Sequence, residues 1–175
     1  MGRPSVSQLR SLGQLALSHR WEIDFTAFPT AVTSPGIDSA GINLRCESAT
    51  IPKATPNLVS NNIRGHEVAY QGITKYNGSI DLTFIETINH EMANFLVQWR
   101  EVSYNVDSGT QSNKNEVEAT ITLYLLDNQD NPKKKFTLIG ALLEDYTPGA
   151  IDNENNLVKP KITLHYDLFK EESIV

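Results

Sequence analysis

Cysteine occurs once in these 175 residues, at position 46, so the chain can close no disulfide on itself and build no cysteine-based zinc site. Its strand-like surroundings make Cys46 a small buried hydrophobe by expectation. No stretch reaches the ~18 consecutive apolar residues that a membrane-spanning helix needs, so no membrane insertion is expected. Apolar residues do occur in residues 1–19, but Gln8, Arg10 and Gln14 interrupt them, unlike a secretory signal. The chain therefore reads as cytosolic at synthesis. Basic charge is also short: 15 Lys and Arg stand against 21 Asp and Glu, a formal net charge of −6. Without a basic stripe, nucleic-acid-binding classes lose their electrostatic footprint.

The motifs of catalysis are missing as well. His19, His66, His90 and His165 form no HxH or HExxH pair, which removes the usual local spacing of a metal site. There is no GxSxG elbow, and neither GxGxxG nor GxxxxGK[ST] is present to cradle phosphate. Glu22/Asp24 and Glu116/Glu118 place carboxylates two apart, yet acid–base work needs one of them in a pocket that raises its pKa. The polar face of an amphipathic strand accounts for both pairs. Lys133, Lys134 and Lys135 follow Pro132 in what reads as a solvated loop, able to meet an acidic partner or to discourage edge pairing. The expectation is a chain that is no enzyme, with no metal and no cofactor.

What is present is strand periodicity around one helix. Residues 89–102 put Met92, Phe95, Leu96 and Trp99 on one helical face, with Glu91, Gln98, Arg100 and Glu101 opposite and Asn89 as N-cap. Trp21, Ile23 and Phe25 alternate with Glu22 and Asp24 in a half-buried strand. A second strand is expected through Ile42, Leu44 and Cys46. Residues 58–87 read as a long hairpin, Leu58 to Tyr70 returning as Gly78 to Thr87, with its turn near Gln71 and Gly72. The first arm is sparse in apolar residues and suits pairing with a neighbouring subunit, or a mobile surface hairpin. After a polar loop over 107–116, strands follow through Ala119, Ile121, Leu123 and Leu125, through Phe136 and Leu138, and through Ile162, Leu164, Tyr166 and Leu168. Val6, Leu9, Leu12 and Ala16 suit a short N-terminal helix capped by Ser5. The fold class expected is mostly β (α+β): an antiparallel sandwich or partial barrel with one packed helix and a long hairpin. It forms a single domain over 1–175, with a helical arm at 1–18 and a β domain at 19–170.

The order of these elements resembles the tail tube family of contractile-tailed bacteriophages. The residues that carry the likeness are HRWEIDF, the segment Cys46-Glu47-Ser48-Ala49-Thr50-Ile51-Pro52, the polar hairpin, the strand Ile80 to Glu86, the helix ending in Trp99 and the closing ITLHYDLF. One departure is Ile85-Glu86-Thr87, where the family often has an asparagine–aspartate pair, which leaves room for a baseplate tube initiator.

The resemblance implies a virion structural protein forming stacked, hexameric rings, each subunit lending strands to an inner β-barrel that conducts DNA at ejection. It places Ile63, Val68 and Tyr70, and Ile80, Leu82 and Phe84, on barrel or inter-subunit strands, with Glu67 and Asp81 facing the lumen. Acidic and neutral walls would let DNA pass without the tight phosphate binding that Lys and Arg create. Segments 50–60 and 147–156 and the N-terminal helix would reach adjacent rings. Partners implied are further copies of the chain, tail sheath, tape measure and baseplate proteins, and genomic DNA in transit. The location implied is the virion tail, with assembly in host cytoplasm. A type VI secretion-like tube protein shares the resemblance, and a ligand-binding β-sandwich module is the reading from a different class.

Overall fold

The computed structural model describes residues 6, 7, 11, 16–151 and 156–174. It is mostly antiparallel β, as the strand periodicity anticipates. β1 (Trp21–Ala27) pairs with β6 (Ala119–Leu126), which pairs with β7 (Pro132–Thr147). From β7 the sheet continues through β8 (Lys161–Tyr166) and β5 (Gly78–Phe84) to β2 (Cys46–Ala49), while β9 (Leu168–Ser173) also joins β7. β3 (Thr55–Ile63) and β4 (His66–Lys75) make a separate two-stranded ribbon. Among the described residues the sheet does not close into a barrel.

The long strand β7 organises the body. Residues 134–139 pair with β9 and residues 142–147 with β8, so the strand changes partner at Gly140. There the register with β6 slips, and Gly140 takes φ +70°, the left-handed region that a bulge exploits and that side chains disfavour. Asp167 interrupts the final strand beside this corner, its N–H donating to the Ile139 carbonyl at 3.1 Å. The run expected through Leu168 is thus two strands, β8 and β9.

One buried cluster fills the space between the two halves of the sheet. It joins Ile23 and Phe25 of β1, Ile80, Leu82 and Phe84 of β5, Ile121 and Leu123 of β6, and Ile162 and Leu164 of β8. The longest helix, Glu91–Ser103, closes it with Met92, Phe95, Leu96 and Trp99, each 0% exposed. Phe95 meets Phe25 and Phe28 edge-on, with centroids 6.3 and 5.6 Å away. Trp99 donates its indole N–H to the Val117 carbonyl at 2.7 Å.

Several local expectations give way. Ile42 and Leu44 lie on a helix, α1 (Ser39–Arg45), and not on a strand; the longest helix is then α2, and Lys114–Val117 within the expected polar loop is α3. Asp38 starts α1 by accepting from the Gly41 N–H at 2.7 Å. Only Ile42 of α1 is buried, and one buried residue cannot separate a period of 2 from 3.6. Asn89 does not cap α2. His90 holds the cap position with φ +52° and no side-chain bond, while the Glu86 carboxylate accepts from the N–H groups of Ala93 at 2.8 Å and Thr87 at 2.9 Å. A charge at the helix N-terminus does the work assigned to the asparagine.

The expected hairpin is also redrawn. Its turn lies at Arg64 and Gly65, both with positive φ, and the return arm is β4; the strand through Ile80, Leu82 and Phe84 belongs to the main sheet. Gly72 is needed for close approach instead of turning: a Cβ there would sit 2.9 Å from the Asn57 carbonyl oxygen, where the pairing slips. Lys133, Lys134 and Lys135 begin β7 and are not a loop. Ser5, Leu9 and Leu12 of the expected N-terminal helix lie outside the described residues, whereas Val6 and Ala16 are exposed.

Candidate functional site

Chemistry of a small-molecule kind finds little foothold. Among the described residues no group of three or more His, Cys, Asp or Glu is placed to hold a metal ion, and no helix is long and apolar enough to cross a membrane. The lysine run is neutralised across the strands. Lys134 pairs with Glu171 and lies over the Phe136 ring, and Lys135 pairs with Glu172 at 2.9 Å. That hydrogen-bonded partner raises the Lys135 pKa and lowers that of Glu172. An open groove of about 620 Å³ runs between the end of α2 and β7, with Arg100, Tyr104, Glu144 and Tyr146 on its walls. A second of about 350 Å³ is apolar, between Leu17, Trp21, Ile51, Leu125 and Phe136.

Cys46 packs against the core at the start of β2 and is half-buried. Burial pushes its thiol up from 9.0 to about 12. The sign follows from linkage: between those values the unfolded thiol has ionised and the folded one has not, so stability falls as pH rises through that window. Cys46→Ala should remove this component of the alkaline decline in a pH series of denaturant midpoints. At pH 8 a thiolate-directed reagent should label the folded protein far more slowly than the unfolded chain.

The ribbon is the unusual surface. Every residue of β3 is exposed and so are all but two of β4, and neither strand packs appreciably on the body. Register sorts its side chains, since cross-strand partners share a face. Val59 lies opposite Tyr70, Asn61 opposite Val68 and Ile63 opposite His66, so one face is largely apolar. Ser60 with Ala69, Asn62 with Glu67 and Leu58 with Gln71 make the other, which is mostly polar towards the tip. The sequence of the first arm alone hides this division, because the apolar face draws half its members from each strand. Ile63, Val68 and Tyr70 fall together on the apolar face; Glu67 falls on the polar one.

Asp81 sits apart from Glu67, on the exposed face of β5. Its carboxylate accepts from the Thr163 hydroxyl at 2.8 Å, and its N–H donates to the Thr50 hydroxyl at 3.0 Å. Beside it Ser79 donates to Glu144 at 2.6 Å. The outward face of β5 and β8 is thus a wall of hydroxyls and carboxylates with His165 and Lys161. Ile80, Leu82 and Phe84, from the same strand, point the opposite way into the core and are at most 1% exposed. One strand therefore carries both a packing face and a wet face.

No protein-family model matches the chain, and no curated protein matches it in sequence. Solved structures match it in fold. A chain of the anti-feeding prophage cap, the tube terminating cap, superposes with TM-score 0.66 at 12% identity, over 92% of this chain and 93% of that one. One from the anti-feeding prophage baseplate, 6-fold symmetrised, gives 0.62 at 17%, over 92% and 97%. The sheath–tube complex of an extracellular contractile injection system, PVC, in its extended state gives 0.62 at 13%, over 98% and 100%. Likeness at such low identity speaks for fold alone. The chain has the fold of the tube and cap proteins of contractile injection systems, in line with the resemblance its sequence motifs carry.

Proposed function

We propose that this chain is a non-catalytic structural subunit that forms rings of a contractile-tail tube. The observation that carries the reading is the ribbon. A two-stranded hairpin is marginal by itself in water, and the apolar face of this one, with Val59, Ile63, Val68 and Tyr70, is left exposed among the described residues. It needs a surface that a second copy of the chain can supply by strand addition. Shared fold with chains from a cap, a baseplate and a sheath–tube complex supports the same reading.

On this reading the rings are sixfold, like the symmetrised baseplate, and stack within a virion or virion-like tail. Sheath and baseplate proteins are the outer partners, and tape measure protein and genomic DNA pass within. The polar ribbon face with Glu67 and the wet face of β5 with Asp81 line the lumen. With few cations there, phosphate slides past without the counterion release that tight binding requires. Segments 50–60 and 147–156, with the N-terminal arm, contact adjacent rings. The whole chain acts as one domain. Glu86 caps α2 in the segment that departs from the family's pattern, so that departure gives the initiator reading no separate support.

Negative-stain electron microscopy over a concentration series tests the proposal. Long hollow tubes are the expected result; isolated rings would assign the chain to a cap or initiator, and a compact monomer at every concentration would overturn ring assembly. Val68→Ser with Tyr70→Ser should abolish the assemblies. Its melting temperature should stay close to the parent's, because exposed substitutions usually change stability by no more than ~0.5 kcal/mol.

A further inference from the structure

We infer that α1 is an edge seal on β1, closing that end of the sheet to strand addition. β1 is the terminal strand of the order, bonded to β6 on one side only. Ile23 and Phe25 are two apart, so their N–H groups point to the same side, away from β6. In an open sheet those donors would invite a further strand. Here side chains of α1 accept from them. The Asn43 side-chain oxygen takes the Ile23 N–H at 3.0 Å, and the Ser39 hydroxyl oxygen takes the Phe25 N–H at 2.8 Å.

The Ser39 contact is oriented from β1 itself. Ser39 donates its hydroxyl proton to the Asp24 carboxylate at 2.5 Å, which turns its lone pairs towards Phe25. Spacing in α1 makes the match possible: Ser39 and Asn43 are four apart and share one helix face, while Ile23 and Phe25 are two apart on the strand. Four helical residues rise about 6 Å and two strand residues about 7 Å, so the two pairs align. At its far end α1 is held by Arg45, which donates to the Gly41 carbonyl at 3.0 Å and pairs with Glu91 of α2. The two outward N–H donors are satisfied without backbone pairing, so α1 ends the sheet and does not extend it. It holds whether or not the chain forms tubes. Copies that join strand to strand do so elsewhere than at β1.

Removing the acceptors while keeping side-chain size is the test: Ser39→Ala with Asn43→Leu, followed by amide hydrogen exchange and light scattering. Exchange at Ile23 and Phe25 should rise at least about tenfold, with core amides of β6 and β8 unchanged, because only the local opening becomes easier. Irregular β-rich association that grows with concentration should accompany it, distinct in electron micrographs from any ordered tubes or rings of the parent. Unchanged exchange at the two amides would overturn the seal. So would raised exchange with the parent's size distribution, since the edge would then be open without attracting a strand. If the double variant fails to fold, Ser39→Ala alone decides the matter by the Phe25 amide and the same scattering measurement.

Discussion

Replacing Trp99 with alanine is expected to lower folding stability by about 4 kcal/mol, the middle of the range for aromatic truncations in a core. The side chain is 0% exposed, packs at 5.7 Å from the Phe95 ring and sits in the last turn but one of α2. Two losses add. The cavity left by an indole cannot be refilled by α2, because Met92, Phe95 and Leu96 are committed to the same cluster. The Val117 carbonyl also loses the donor it has at 2.7 Å, and a buried acceptor left unpaired costs on the order of 1 kcal/mol. Chemical denaturation of the purified protein reads the total. Trp99→Phe should recover most of the packing and none of the hydrogen bond, so the gap between the two variants separates the contributions. A change under ~1 kcal/mol for the alanine variant would show that α2 does not close the core.

The second large effect is expected at Gly140. An alanine there must hold φ near +70°, which costs roughly 1–2 kcal/mol for an L-residue. Its Cβ would also lie 2.5 Å from the Asp167 carboxylate oxygen, 3.0 Å from the carboxyl carbon and 3.3 Å from the Asp167 Cβ. The carboxylate is half exposed and can swing aside, breaking its ion pair with Lys114, but the Asp167 Cβ is fixed by a backbone that bonds Ile139. Strain and displacement together should cost about 2–4 kcal/mol, in the range of Gly substitutions at incompatible backbone positions. Asp167→Gly in the same chain relieves the contact and leaves the φ penalty. A double-mutant cycle by thermal melts should therefore show a favourable coupling between the two changes. Additive effects would locate the whole cost in the backbone.

These two sites differ in how much of them the sequence displays. Trp99 is legible because helical spacing with Met92, Phe95 and Leu96 is kept over about two turns, enough to fix the period. The strands β1 and β8 are legible for the same reason, their buried positions alternating with less buried ones. Helix α1 is not, since seven residues with one buried position carry no period. The division of the ribbon into an apolar and a polar face is invisible in either arm, because it depends on a turn at Arg64-Gly65 that lacks the Asn or Asp usual before glycine. Gly72, a more obvious punctuation mark, draws the turn to the wrong place. The Glu86 cap escapes because it acts on an N–H seven residues ahead, outside the reach of capping motifs. Long-range pairing, not local propensity, decides each of these positions.

The sharing of β7 between two halves of the sheet bears on how the molecule comes apart. Residues 134–139 are held by β6 and β9 while residues 142–147 are held by β8, and a single backbone runs through both. Force or heat that frees one half must drag the strand out of the other, so the body has no seam along which to melt in stages. Such wiring favours all-or-none cooperativity, with the calorimetric and van't Hoff enthalpies of the body agreeing. The ribbon, whose strands among the described residues pair only with each other, is the part that can fray while the body stays intact.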